Sequence, residues 1–261
     1  MHDIGKLVSR HRKNASLGIV MFFLGGLFLA CAVLLAAVRS KAVPEAQPMI
    51  ALVMLAAAVL GLLLCLAGWW SRRRGVMVLG EQGVCVEVAG QSRVYRFEQI
   101  AETCQMYRAN ISVGLAFRAE GDAWESANAH LSRYRVFRQG LLKGYIHARL
   151  PGLLATLQSG GTVPFKITTG MGKLKESMAL GVHAYVNVPT EEATLSATAL
   201  TLRGQRIDLA DFVDCVLDPY STKLLLIRRD DSKAVLSYTE FFEPDLLVAL
   251  LKSVLVASAS R

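Results

Sequence analysis

The residues best suited to hold a metal or attack an electrophile are five histidines (His2, His11, His130, His147, His183) and five cysteines (Cys31, Cys65, Cys85, Cys104, Cys215). Their spacing argues against either use. No two histidines stand at ligand spacing, and no Cys-x-x-Cys pair occurs, so a zinc site is not expected. An odd number of scattered cysteines makes no disulfide framework and suits a reducing compartment. Cys85 and Cys104 lie in strand-like runs and read as buried small hydrophobes. Gly170-Met171-Gly172-Lys173 resembles a phosphate loop, but the motif's first glycine would fall at Ile167 and Leu174 replaces its hydroxyl residue. The chain has no G-x-S-x-G, H-E-x-x-H or G-x-G-x-x-G. Asp208, Asp211, Asp214 and Asp218 are dense, but a hard cation needs oxygens converging from a loop. Their alternation with Leu209, Phe212, Val213 and Val216 fits a strand edge and a single turn, or a patch that meets a basic partner. No catalytic residue, metal ligand or cofactor is therefore expected.

Charge and aromatic residues give a better candidate. Ser126–Ser159 contains no acid and carries Arg133, Arg135, Arg138, Lys143 and Arg149, interleaved with Tyr134, Phe137 and Tyr145. Near an anionic leaflet each base is worth about 1 kcal/mol of attraction, so these five are candidates for lipid or partner contact. The alternative is a helix whose apolar side closes a domain while its bases are solvated.

The elements that would position such a surface follow from the hydrophobic pattern. Of 261 residues, 53% are hydrophobic and 19% charged, with a net charge of +8. The apolar excess lies before residue 71. Leu17–Val38 and Met49–Trp70 are two uncharged runs of 22 residues. At about 1.5 Å per residue each covers roughly 33 Å, enough to cross a hydrocarbon core. The first is longer than the core of a signal peptide. Lys6, Arg10, Arg12 and Lys13 precede the first run, Arg72, Arg73 and Arg74 follow the second, and only Arg39 and Lys41 lie between. The positive-inside rule then places both termini in the cytoplasm. Trp69, Trp70 and Arg72–Arg74 are expected at the membrane interface. Gly26-x-x-x-Ala30 and Ala57-x-x-x-Gly61 read first as the ordinary small-residue content of membrane helices; the alternative is close packing within a hairpin, or between two copies as a homodimer. The spans hold no ionisable side chain except Cys31 and Cys65, which disfavours a transporter. The basic surplus brackets the spans while the rest of the chain is nearly neutral, so nucleic-acid binding is not expected.

After Gly75 the period changes to short alternating runs. Strands are expected at Val76–Val78, Val84–Val88, Val94–Phe97, Cys104–Tyr107, Ile111–Arg118 and Ala123–Ser126. A helix follows from about Val136 to Leu157, with Pro151 as a break or kink. Further strands are expected at Thr162–Thr168, within Ser177–Val188, and at Thr194–Leu202, Arg206–Leu209, Val213–Leu217, Lys223–Arg229 and Ala234–Tyr238. A closing helix spans Pro244–Ala257, with Leu246, Leu247, Leu250, Leu251 and Val254 at helical spacing. The two halves correspond: Tyr95-Arg96-Phe97-x-x-Ile100-x-Glu102 matches Ile207-Asp208-Leu209-x-x-Phe212-x-Asp214.

This pattern of strand, Gly turn, strand, spaced apolar motif, further strands and helix occurs at Val84–Leu157 and again at Leu195–Val256. It resembles the pleckstrin-homology-like (PH-like) superfold, and more closely bacterial membrane-anchored proteins with PH-like domains. The expected fold class is α+β: a two-helix transmembrane hairpin, then two tandem PH-like domains, each a small antiparallel sheet or barrel with a C-terminal helix. The expected parts are a cytoplasmic segment 1–16, spans 17–38 and 49–70 joined by an external loop 39–48, and PH-like domains 75–160 and 161–261. The resemblance implies a non-enzymatic binding or scaffolding module that recruits a protein partner to the inner membrane, with anionic-lipid contact as a further element. The alternatives are an immunity or inhibitor protein against a toxin acting at the membrane, and a membrane-bound enzyme.

Overall fold

A computed structural model describes residues 2–12, 16–39, 41, 43–72, 75–88, 90–108, 111–170, 172, 182–218 and 221–259. The fold is α+β: two apolar N-terminal helices, four antiparallel sheets of three or four strands, and a C-terminal helix. Contacts divide the chain into two units. One comprises residues 1–11, 78–85 and 94–261, and the other residues 12–77 and 86–93.

The second unit holds α1 (Ser16–Arg39) and α2 (Gln47–Arg72), which pack against each other. Both are long and apolar enough to cross a membrane. Their side chains are mostly exposed, Phe23 at 79%, rather than packed in a core. The seam between them uses small residues seven apart: Gly18, Gly25 and Ala32 on α1, and Gly61 and Gly68 on α2. A Cβ on Gly25 would lie 2.7 Å from the carbonyl oxygen of Gly61, and one on Gly61 would lie 2.9 Å from that of Gly25. Small residues at these positions let the two backbones approach closely. The expected Gly26/Ala30 pair is not in this seam. Gly26 faces open space and Ala30 is exposed, because the seven-residue period selects Gly25.

The remaining strands, in chain order, are β1 (Leu7–Arg12), β2 (Val76–Gly80), β3 (Gly83–Val88), β4 (Gln91–Arg96), β5 (Ile100–Arg108), β6 (Ile111–Ala119), β7 (Glu125–Asn128), β8 (Val163–Thr168), β9 (Thr190–Leu195), β10 (Ala199–Leu202), β11 (Gln205–Asp208), β12 (Phe212–Asp218), β13 (Lys223–Arg228) and β14 (Lys233–Ser237). The helices after α2 are α3 (Tyr134–Gln158), the single turn α4 (Val182–Tyr185) and α5 (Pro244–Ala259). The sheets are β1-β2-β3-β4, β5-β6-β7, β8-β9-β10-β11 and β12-β13-β14 in spatial order. Each half of the chain thus runs through four strands, a turn of 3-10 helix (Phe97–Gln99 or Leu209–Asp211), three strands and a helix. None of the sheets closes into a barrel among the described residues.

The first strand was not legible. Leu7–Arg12 falls in the segment expected as a cytoplasmic tail, because Leu7 and Val8 are exposed and only His11 is fully buried, leaving no apolar alternation to read. Within the first unit the Glu81 amide donates to Lys6 O (3.1 Å) and the Gln82 amide to Ile4 O (2.9 Å). The chain that leaves after residue 11 and returns at residue 78 is therefore flanked by hydrogen-bonded neighbours. His11 Nδ1 lies 2.7 Å from Ser132 O and its Nε2 2.7 Å from Ser9 Oγ. A carbonyl only accepts, so this pairing assigns the proton to Nδ1.

Three other expectations change. Residues 182–185 of the expected Ser177–Val188 strand are helical, and residues 177–181 lie outside the described residues. Thr194–Leu202 is split between β9 and β10, because Ser196 Oγ accepts from the Ala199 amide (2.9 Å) and turns the chain. The α3 helix begins at Tyr134 and runs through Pro151 without ending. Pro151 and His147, whose carbonyl loses its helical donor there, are both exposed.

One core serves both halves of the first unit. Cys104, Met106 and Ala116 from β5 and β6 pack with Tyr185, Val186, Val188 and Phe242. Leu246, Leu247, Leu250, Leu251 and Val254 are all buried, and α5 packs on α3.

Replacing Gly61 by Leu should destabilise the helix pair by about 1–3 kcal/mol through overpacking. Gly26→Leu should leave it unchanged. Detergent-titration unfolding of the full chain separates the two.

Candidate functional site

The α3 helix sorts the five candidate bases by its period. Arg135 and Lys143 are exposed, on the same side as Val136, Gln139 and His147. Arg133 is also exposed and stands just before the helix in left-handed backbone, φ 53°. Arg138 and Arg149 are half-buried on the side of Leu142 and Tyr145, at positions 138, 142, 145 and 149. The same 3-4 spacing with apolar neighbours, read from the sequence, separates these two from the others. At the end of α2, Trp69 is exposed. The side chains of Trp70 and Arg72, and residues Arg73 and Arg74, lie outside the described residues.

Three of the four clustered aspartates have local partners. Asp208 accepts from the Ala210 amide (3.4 Å), Asp214 from the Cys215 amide (2.7 Å), and Asp218 from the Ser221 hydroxyl. No three His, Cys, Asp or Glu side chains converge as a metal site among the described residues. Cys85, Cys104 and Cys215 are buried. Burial pushes the Cys215 thiol up to about 11, so it is not a thiolate at neutral pH. Of the Gly170–Lys173 motif, Met171 and Lys173 lie outside the described residues.

What sequence reasoning missed is a polar seam inside the first unit, where residues 241–245 of the second half meet β5 and α3 of the first. β5 is an edge of its sheet, so its outward amides need partners. The Gln105 amide donates to Phe242 O (3.2 Å), and the Thr103 amide to Glu243 Oε1 (2.9 Å). On the other side the Phe242 amide donates to Lys166 O of β8 (3.0 Å). Arg138 donates through Nε to Gln105 Oε1 (3.0 Å) and through Nη2 to Tyr107 Oη (3.2 Å) and Asp245 Oδ2 (3.3 Å). The Tyr107 hydroxyl donates to Gln105 Oε1 (2.9 Å), and its ring meets Tyr238 edge to face at 5.7 Å.

Ionisation follows from these surroundings. Burial pushes the Tyr107 hydroxyl up to about 12, and raises Tyr145 and Tyr238 as well, so all three stay neutral donors. Burial alone would lower Arg138, but the neighbouring Tyr107 and Asp245 raise it. Glu243, held by Thr103 and the Tyr145 hydroxyl, is raised because burial outweighs those hydrogen bonds. Burial also pushes Glu102 up, but Lys166 Nζ (2.8 Å) and Arg118 Nη2 (2.9 Å) more than reverse it, leaving the carboxyl below 4.5.

No family model matches the chain, and the curated proteins contain no match to it.

Arg138→Met would strand Asp245 and Gln105 and should lower stability by about 1–3 kcal/mol. Arg135→Met, on the exposed side, should change it by less than about 0.5 kcal/mol. Denaturant unfolding of both variants checks this. The two glutamates should titrate with opposite sign. Stability from Glu102 is complete above its unfolded value and is lost as pH falls through the lower folded value. Stability from Glu243 is complete below its unfolded value and is lost as pH rises through the higher folded one. Relative to wild type, Tm of Glu102→Gln should therefore fall behind as pH rises past 4.5, and Tm of Glu243→Gln should gain.

Proposed function

We propose that this chain is a membrane-anchored binding protein whose folded unit holds a protein partner at the cytoplasmic face of a bacterial inner membrane. The observation that carries this reading is the place of the apolar helices. They interrupt the first sheet between β1 and β2, and the residues flanking the excursion are hydrogen-bonded to each other. Only three residues separate Arg12 from Ser16 and Arg72 from Val76. In chain order the candidate anchor is thus an insertion between two strands of one sheet.

The sequence of four strands, three strands and a closing helix, present twice, supports reading each half as a PH-like module. Such modules bind lipid headgroups, peptides or other domains through surfaces beside their sheets. Arg133, Arg135 and Lys143 form the basic part of the exposed α3 surface and are the first candidates for contact with a partner or with anionic headgroups. The charge flanking the spans supports an orientation with both termini in the cytoplasm.

Two measurements test the proposal. A fluorescent protein fused to either terminus should fold and fluoresce, while alkaline phosphatase inserted at residue 41 should be active. The reverse pattern would sink the cytoplasmic assignment. A photo-crosslinking residue at Arg135 or Lys143 of the full chain in native membranes should give a discrete protein adduct that is absent when placed at the buried Leu141. Lipid adducts alone would replace the protein partner with the bilayer itself.

A further inference from the structure

The last three strands leave one face of their sheet uncovered. In the β12-β13-β14 register, Val216, Leu225 and Val235 form one row across the sheet, and Asp214, Ile227 and Lys233 form the next. Val216 is 41% exposed and Val235 54%, and Val213 at the bulge in β12 is 44% exposed. The opposite face is closed: Cys215, Leu224, Leu226 and Leu236 are buried, and α5 packs on β12.

The first half treats the same face differently. Its strands β5, β6 and β7 pair in the same way, with a break in register between Ile100 and Glu102 where β12 has one between Phe212 and Asp214. The row equivalent to Val216, Leu225 and Val235 is therefore Cys104, Ala116 and Ser126. Cys104 and Ala116 are fully buried, in a cluster with Tyr185, Val186, Val188 and Phe242. The chain thus covers this face once, with its own residues. In the second half the row is bulkier and more aliphatic, and it stays exposed. A contiguous apolar patch rimmed by polar residues marks an interaction surface.

The charges select the occupant. Asp214 stands on one edge strand and Lys233 on the other, with Ile227 between them. A two-fold axis along β13 lays β14 of a second copy over β12. Asp214 then faces Lys233 of the other copy, twice, and Val216 faces Val235, twice. Leu225 and Ile227 each meet their own counterpart. A patch that complements itself in this way is what an isologous dimer requires. Sheets packed face to face keep their strands within about 30° of each other, so the rows stay in reach. Lys223, also on the axis, stands across from Asp218 of its own sheet, which offsets its charge.

We propose that this face binds a second copy of the chain, sheet against sheet, through the Val216 row and two reciprocal Asp214–Lys233 pairs. The inference is independent of the partner-recruitment reading and uses neither the α3 surface nor the apolar helices. Strand spacing and rise make the face about 14 Å by 17 Å. That is well under the roughly 800 Å² each partner buries in a standard interface. The association is therefore weak, and covalent capture is the way to detect it.

The test uses the full-length chain in intact cells, with Cys31→Ala and Cys65→Ala as background and a short membrane-permeable bismaleimide as the cross-linker. Leu225→Cys, on the axis, should give a covalent dimer, whereas Arg135→Cys on the exposed side of α3 should not. Adding Asp214→Lys or Lys233→Asp to Leu225→Cys should cut the dimer by about fivefold to thirtyfold, the loss of two surface ion pairs. Combining the two should restore it. Two differently tagged copies, one with Asp214→Lys and one with Lys233→Asp, should capture each other but not themselves. Such pairwise rescue is not expected of a change that only weakens the fold, because Ile227 separates the two residues within one sheet. No dimer from Leu225→Cys, an adduct only with some other protein, equal capture at Arg135→Cys, or charge reversals without mutual rescue would overturn the proposal.

Discussion

The first unit depends on how the free edge of β5 is satisfied. An exposed strand edge is a row of unpaired donors and acceptors, and burying one without partners costs about as much as a lost hydrogen bond for each group. Here the partner is the segment 241–245, which runs into the first turn of α5. Phe242 accepts from β5 with its carbonyl and donates to β8 with its amide, so a single peptide segment joins strands from the two halves. Glu243 and Asp245 then extend the contact through their carboxylates, the first to Thr103 and Tyr145 and the second to Gln105 and Arg138. The apolar cluster around Tyr185 and Phe242 adds burial to the same junction. The halves therefore share one core and one set of polar partners, and loosening either would expose the other.

The same logic explains why the bases of α3 have unlike roles. A helix inserted between a sheet and another helix has one side for packing and one for solvent. Arg138 and Arg149 fall on the first and become the cations of the seam, where their charge is matched by Asp245 and by the buried Glu243. Arg133, Arg135 and Lys143 fall on the second and keep their charge available for another surface. In the two apolar helices, by contrast, glycine and alanine seven residues apart set the pairing by letting the backbones touch.

How much was legible varies with the range of the interaction. The two long apolar helices were plain because a 22-residue uncharged run leaves little choice but a helix that hides its backbone polar groups. The closing helix was plain because Leu246, Leu247, Leu250, Leu251 and Val254 carry its period locally. The matching motifs ending at Glu102 and Asp214 fall on equivalent elements, a 3-10 turn followed by the start of a strand. Strand β1 was hidden because its burial comes from one histidine held by a carbonyl 121 residues away. The break at Ser196 was hidden because a hydroxyl, not a glycine or proline, turns the chain.

The sequence by itself determined the α+β class, the two long apolar helices, most strand positions and the lack of a recognisable catalytic motif, since each rests on composition or on periods of a few residues. Only the tertiary structure decided that β1 joins the sheet across the helical excursion, that Gly25 rather than Gly26 faces α2, that the halves share a core, and that Arg138 and Arg149 turn inward while Arg135 and Lys143 do not. These depend on which distant backbone groups and carboxylates come within about 3 Å of one another, and local pattern carries no information about that distance.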